Sequence, residues 1–318
     1  LATVDVDSDT HVYTLSGDDA DLFEVVDGVL KLKTDSTADY NTKSSYSVTV
    51  TATDSDGLSV SKTLTVVVSN LIVPETIEGT VVDGYVSGST VNLLDKDGNV
   101  IATATTNSLG QYSISADDNN GTRIVAEGGV DTLTGETITV TLSAAKGSSY
   151  VSALTTIIDQ AGANAATVLT NLGLPANFDL ATSNPLENLE AQKVNAALIN
   201  IMAIGEALLE NAGLADGAGD ELIVAELVAL LTTSSDLNSA ASIKTVLDAA
   251  AVNLDDAIKT KVNNLTDEVS QSVANLNEQI NQAGSIAQIA TVQKVALDDE
   301  GSFLTSLIDA VKAGLVDL

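Results

Sequence analysis

The 318-residue chain has no cysteine and no tryptophan, one histidine, three prolines, and only 3% aromatic residues. Without cysteine there is no disulfide framework, no thiolate metal site and no cysteine nucleophile. His11 is the sole histidine, so a Ser-His-Asp triad has to form around it, yet it stands in an acidic β segment beside no obvious nucleophile. No G-x-S-x-G elbow, G-x-x-x-x-G-K-S/T phosphate loop or G-x-G-x-x-G turn occurs. Scarce aromatics leave little for the stacking platforms that sugar- and peptide-binding surfaces use. Basic residues are scarce too: 13 Lys and Arg against 44 Asp and Glu give a net charge of −31. That sign repels phosphate, which argues against nucleic acid and anionic membranes and in favour of cations, above all metal ions. Solubility alone is the competing account of the charge. No apolar run reaches the roughly 18 residues of a membrane span, so membrane insertion is not expected. The chain opens at Leu1 inside an alternating pattern, which suggests a piece of something longer.

What is present divides into three segments. Residues 1–73 alternate apolar and polar in short runs parted by Asp/Gly/Ser turns, as in "HVYTLSG", "DGVLKLK" and "SSYSVTVTATD". A connector containing Pro74 follows, and residues 74–143 continue as strands with a hairpin at Asp97-Gly98-Asn99 and another turn at Leu109-Gly110. From Ala144 the period changes from 2 to about 3.6 and Ala, Leu, Asn and Gln take over. The expected fold is multidomain β + α: two small antiparallel β-sandwiches followed by an all-α helical bundle over 144–318.

Helix boundaries have local causes. Asn184-Pro185 with Glu187 reads as a cap, a first-turn proline and a first-turn carboxylate opening a helix to about Gly213. Ile258, Val262, Leu265, Val269, Val273, Leu276 and Ile280 form a narrow apolar seam that predicts one long polar helix over 254–282. Shorter helices are expected near 151–160, 164–172, 220–232, 239–250, 285–297 and 302–313.

The acidic residues of the first segment raise the functional question. In an extended strand Asp5, Asp7 and Asp9 share a side, and three carboxylates there repel unless a cation sits among them. Calcium suits them, since it takes six to eight oxygen ligands and needs neither sulfur nor imidazole. "VTVTATDSDG" ends in Asp54-Ser55-Asp56-Gly57, which on its own is also a simple hairpin with solvated carboxylates.

"VDVDSD", "VYTLSGDDADLFEV", "ADYNTK" and "VTVTATDSDG", in that order, resemble a cadherin-type repeat over about 70 residues. The resemblance implies a calcium site at one pole shared by Asp5, Asp7 and Asp54, with remaining ligands from the linker to a preceding module. A second site would use Asp39, Asn41 and Asn70. There the pattern departs from the family, because Asn41 replaces a Glu and "VVVSNLIVPE" replaces an Asp-rich linker. The second segment, "IEGTVVDGYVSGSTVNLLDKDGNVIATATTNSLGQYSI", is similar to the carboxypeptidase-regulatory-like and collagen-adhesin B-type sandwiches of bacterial surface proteins. Its Asp95, Asp97 and Asn99 lack the remaining ligands of an EF-hand loop and read as a turn. The sequence "VDGYVSG", then "VSALTT", then an Ala/Leu-rich helical region resembles parts of large secreted bacterial (RTX-type) adhesins. The implied function is non-enzymatic cell adhesion at the bacterial surface, with calcium as cofactor and neighbouring modules of the same long chain as partners. A surface glycan or protein is the possible ligand, and a polysaccharide- or peptide-binding site at the β/α interface or on the helical domain is the alternative. Glu187/Glu190 and Asp255/Asp256, the closest approach to paired acid/base carboxylates, read as helix caps. Tyr85, Tyr112 and Tyr150 are expected near the β/α joint as packing.

Overall fold

The computed structural model describes residues 1–4, 10–40, 42–69, 74–116, 120–175, 178–234 and 236–297. The chain falls into two compact units, Leu1–Val73 and Pro74–Leu318.

Unit 1 holds β1 (Val12–Ser16), β2 (Phe23–Val26), β3 (Val29–Leu32), β4 (Ser45–Thr53) and β5 (Ser59–Val67). One sheet runs β1-β4-β5 and the other is the β2-β3 hairpin. The alternation in β4 decides which face packs: Tyr46, Val48, Val50 and Ala52 are buried, while the threonines between them point outward. Those threonines form a cross-strand ladder, with Thr49–Thr63 and Thr51–Ser61 hydroxyls 2.8 Å apart and Thr53–Ser59 at 2.9 Å. Phe23 meets Tyr46 edge to face at 6.1 Å, and these two with Val48 centre the core between the sheets.

Unit 2 begins with β6 (Glu75–Val81), β7 (Val86–Ser87), β8 (Thr90–Asp95), β9 (Val100–Thr105), β10 (Gln111–Ala116), β11 (Gly121–Glu127), β12 (Val130–Asp131), β13 (Leu142–Ala145) and β14 (Tyr150–Val151). They form sheets β10-β6-β14 and β13-β11-β8-β9, joined by the β12-β7 pair. The helices are α1 (Ala153–Ala161), α2 (Ala165–Asn171), α3 (Leu189–Ala212), α4 (Asp220–Leu231), α5 (Ala240–Ala250), α6 (Asp256–Asn263), α7 (Thr266–Gln282) and α8 (Ile286–Leu297). The strands of 74–143 and the helices beyond Ala144 pack on one continuous core, running from Ile77 and Leu93 through Leu154 and Leu198 to Val273. None of the described helices is long and apolar enough to cross a membrane.

The "VSALTT" stretch is the hinge of that arrangement. Thr155 N donates to Ser152 Oγ at 3.3 Å and Ser152 N to Thr155 Oγ1 at 2.8 Å, a capping box that starts α1. Ser143 N donates to Thr156 Oγ1 at 2.8 Å and Thr155 Oγ1 to Ser143 O at 2.7 Å, so the first helical turn is tied to β13. Two boundary expectations need correction. Asn184 does cap Pro185–Glu187, but as a separate 3-10 turn, and Asn188 caps α3 by accepting from Ala191 N. The single helix expected over 254–282 is α6 and α7, broken at Asn264-Leu265, where Leu265 is itself buried. The helix expected at 302–313 lies outside the described residues.

Candidate functional site

Of the residues assigned to calcium from the sequence, Asp5, Asp7 and Asn41, together with Asn70, lie outside the described residues. Asp54 and Asp39 are described, and they stand at opposite ends of β4. Nine residues separate those ends, about 30 Å at the rise of an extended strand. At one end, Val12 opens β1 directly opposite Thr53. At the other, Asp39 is exposed, accepts from Thr42 Oγ1 at 2.7 Å, and receives Thr42 N and Lys43 N on its carbonyl.

Asp54 has a local role that explains the turn it heads. Its Oδ1 accepts from Asp56 N and Leu58 N, both at 2.8 Å, while Gly57 takes φ +86°, open to glycine without cost. The same five-residue device recurs twice in unit 2. Asp95 Oδ1 accepts from Asp97 N and Asn99 N, and Asn107 Oδ1 from Leu109 N and Gln111 N, each with glycine fourth. The Asn99 side-chain amide, followed by backbone N–H groups, holds the Asp95 carboxyl below its usual range. Asp54 Oδ2 accepts no hydrogen bond from the described residues. No group of three or more Asp, Glu or His among the described residues is arranged to hold a metal ion.

Unit 2 buries acids that the sequence pattern did not single out. Asp83, in "VDGYVSG", and Asp131 are each 1% exposed. Asp83 Oδ1 accepts from Gln293 Nε2 of α8 at 3.0 Å and Asn195 Nδ2 of α3 at 3.4 Å; Gln192 Nε2 reaches the Asp83 carbonyl at 2.5 Å. Asp131 accepts from Leu133 N at 2.8 Å and Thr134 Oγ1 at 2.9 Å. Burial, then the Asp131 charge, pushes the Asp83 carboxyl up to about 7. Glycine is required at 84 by close approach: a Cβ there would lie 1.9 Å from Asp131 Oδ1. A second pair joins α3 to α4. Burial followed by the Asp220 charge raises Glu206 to about 8, while Asp220 Oδ2 accepts from Thr141 N at 2.7 Å. The signal that could have found Asp83 is its place in a strand whose neighbours Val81, Val82 and Val86 are all apolar. Glu206 likewise sits in the otherwise apolar run "IMAIGEALL".

Asp255 caps α6 by accepting from Ala257 N at 2.8 Å, and Glu187 and Glu190 stand in first turns. The three tyrosines of the joint differ in role. Tyr85 Oη accepts from Asn184 Nδ2 at 3.3 Å, and Tyr112 lays its ring across Gly79 with its hydroxyl buried. Tyr150 lines a shallow polar trough of about 520 Å³ with Glu78, Thr80, Gln111, Ser113 and Ser149.

No protein-family model matches the chain, and no curated protein matches it. Solved structures similar to it include a crystal structure of human protocadherin-24 EC1-2, at 20% identity over 41% of this chain and 76% of that one, with a TM-score of 0.22. Protocadherin gamma B2 extracellular cadherin domains 3-6 align at 17% identity over 42% of this chain and 39% of that one, with a TM-score of 0.20. The match thus spans well under half the length of the second structure. Likeness at these TM-scores carries no argument for fold or function.

Proposed function

We propose that the chain is a non-enzymatic segment of a long extracellular bacterial adhesin. In this reading unit 1 is a cadherin-like module that takes calcium at its Asp54 end, and unit 2 is a spacer or contact body. The observation that supports it is the β1-β4 register. Because Val12 pairs with Thr53, the acidic run leading into β1 enters at the end of the sheet where Asp54 stands. Asp54 keeps Oδ2 for a ligand role while Oδ1 holds the turn. Calcium would be held there by Asp5, Asp7 and Asp54, with further oxygens from a neighbouring module, and would stiffen the linker between the two by ordering an acidic stretch that otherwise self-repels. The test is thermal melting of unit 1, joined to its N-terminal neighbour, with and without millimolar calcium. Calcium should raise the melting temperature, and Asp54→Asn should remove the response. An unchanged melting curve ends the calcium part of the proposal.

A second reading rests on the trough beside β6, β10 and β14. The register sets Gln111 and Tyr150 on either side of Thr80, with Glu78 opposite Ser113, so hydroxyl, amide, carboxylate and ring line one groove. Such a set suits a neutral polysaccharide or an extended peptide. Binding on a glycan array that Tyr150→Ala abolishes would favour it, and an array without signal would remove it.

A further inference from the structure

The β/α joint of unit 2 contains a charge problem that its own side chains leave unsolved. Asp83 and Asp131 are both almost fully buried and repel one another. No Lys, Arg or His among the described residues pairs with either. The nearest cation of the joint, Lys294, spends its ammonium on the Thr134 carbonyl at 3.0 Å and on Glu136 at 3.7 Å. Buried carboxylates need a proton, a partner or a metal.

Three independent features surround the pair with oxygen rather than positive charge. Gln192 is 1% exposed, and its Oε1 is buried with no hydrogen-bond partner. Its Nε2 is fixed on the Asp83 carbonyl, which keeps the orphaned oxygen within this cluster. Gln293, also 1% exposed, faces both Asp83 oxygens through Nε2 at 3.0 and 3.2 Å, and turning that amide over presents Oε1 instead. Gly84 leaves open the space against Asp131 that any Cβ would fill.

We propose that this joint is a buried site for one divalent, oxygen-seeking cation of the calcium type, held between Asp83 and Asp131 and completed by the amide oxygens of Gln192 and Gln293. A divalent ion cancels both carboxylate charges, whereas a single shared proton leaves one negative charge buried. Carboxylate and amide oxygens are the ligands that hard cations take, and two carboxylates with neutral oxygens are a sufficient set. The site would clamp β12 and the Asp83-Gly84 turn to α3 and α8, so that metal binding and closure of the sandwich on the bundle are one event. It is independent of the calcium reading for unit 1 and shares no residue with it.

The full chain should be purified without added metal, dialysed, and assayed for bound metal by mass spectrometry. Terbium luminescence, sensitised by Tyr85 two residues from Asp83, should then be titrated. About one equivalent should remain in the wild type and in Asp54→Asn, and should disappear in Asp83→Asn and Asp131→Asn. Chelation should lower the melting temperature of unit 2 by roughly 5–15 °C, and neither substituted protein should respond to chelator. If the substituted proteins fail to fold, the wild-type metal content and chelator response decide. A metal-free wild type whose unit 2 melts identically in calcium and in chelator overturns the proposal and leaves a proton as the bridge. Loss of the Asp54-dependent response alone would leave this site untouched.

Discussion

The two units use the same residue type in opposite ways. In unit 1 the carboxylates of Asp39 and Asp54 serve turns at the ends of β4, where water shares the load. In unit 2, Asp83, Asp131, Glu206 and Asp220 are buried inside or beside the junction of strands and helices. An acidic composition therefore describes a solvated surface in one place and costly interior charge in the other. The cores differ as well. Unit 1 centres on Phe23, Tyr46 and Val48, whereas unit 2 has a core that spans sandwich and bundle.

That contrast in core size predicts the largest effects. Phe23→Ala should cost about 3–5 kcal/mol, and Leu198→Ala, at a fully buried position of α3, a similar amount. A small unit has roughly 5 kcal/mol to lose, so the first substitution should unfold unit 1 while the second leaves unit 2 folded with a lower denaturation midpoint. Chemical denaturation followed unit by unit checks this, and equal tolerance in both units would break the comparison.

Opposite responses to pH come next. Asp83 and Glu206 have carboxyls raised in the folded state from 3.8 to about 7 and from 4.5 to about 8. Their contribution is full below the ordinary carboxylate range and is lost as pH rises through those raised values, since the unfolded chain gives up its protons first. In chelator, unit 2 should therefore be less stable at pH 8 than at pH 5, by on the order of 3 kcal/mol, because each tenfold difference in proton affinity is worth about 1.4 kcal/mol. In unit 1 the Lys43 hydrogen bond, then that of Ser47 N, holds Asp19 below its usual range. Stability from that group is present above the ordinary carboxylate value and is lost as pH falls through the lowered one. Hydrogen exchange of the two units across pH 3–8 reads both trends, and parallel trends would contradict the assignment.

Smaller effects sharpen the same point. Gly84→Ala places a methyl 1.9 Å from Asp131 Oδ1 and 2.8 Å from Leu133 Cγ, and should destabilise unit 2 by about 1–3 kcal/mol without touching unit 1. Asp54→Ala removes an acceptor shared by two backbone N–H groups and should cost unit 1 about 1 kcal/mol. Melting of each variant beside the wild type measures both changes.

Local periodicity made much of the fold readable. The alternation of Tyr46, Val48, Val50 and Ala52 foretold the buried face of β4, and the helix expected at 220–232 is α4, Asp220–Leu231. Glycine at the fourth place of the turns headed by Asp54, Asp95 and Asn107 marked hairpins for a reason that needs only three or four neighbouring residues. The break between α6 and α7 was hidden because the apolar seam keeps its spacing of three and four straight through Leu265. Asp83 was hidden because Asp-Gly after a strand is also how an exposed turn is written.

From the sequence alone came the order of β and α segments, the absence of thiol and haem-type ligands, the acidic surface, and the candidate pole at Asp54. These depend on composition or on neighbours within a turn or two, where backbone sterics and side-chain period act. Only tertiary structure decided which acids are buried, because Asp83 meets Gln293 across 210 positions of chain and Asp220 meets Thr141 across 79. Burial is a property of what packs on a residue, and no local pattern records a partner brought in from so far away.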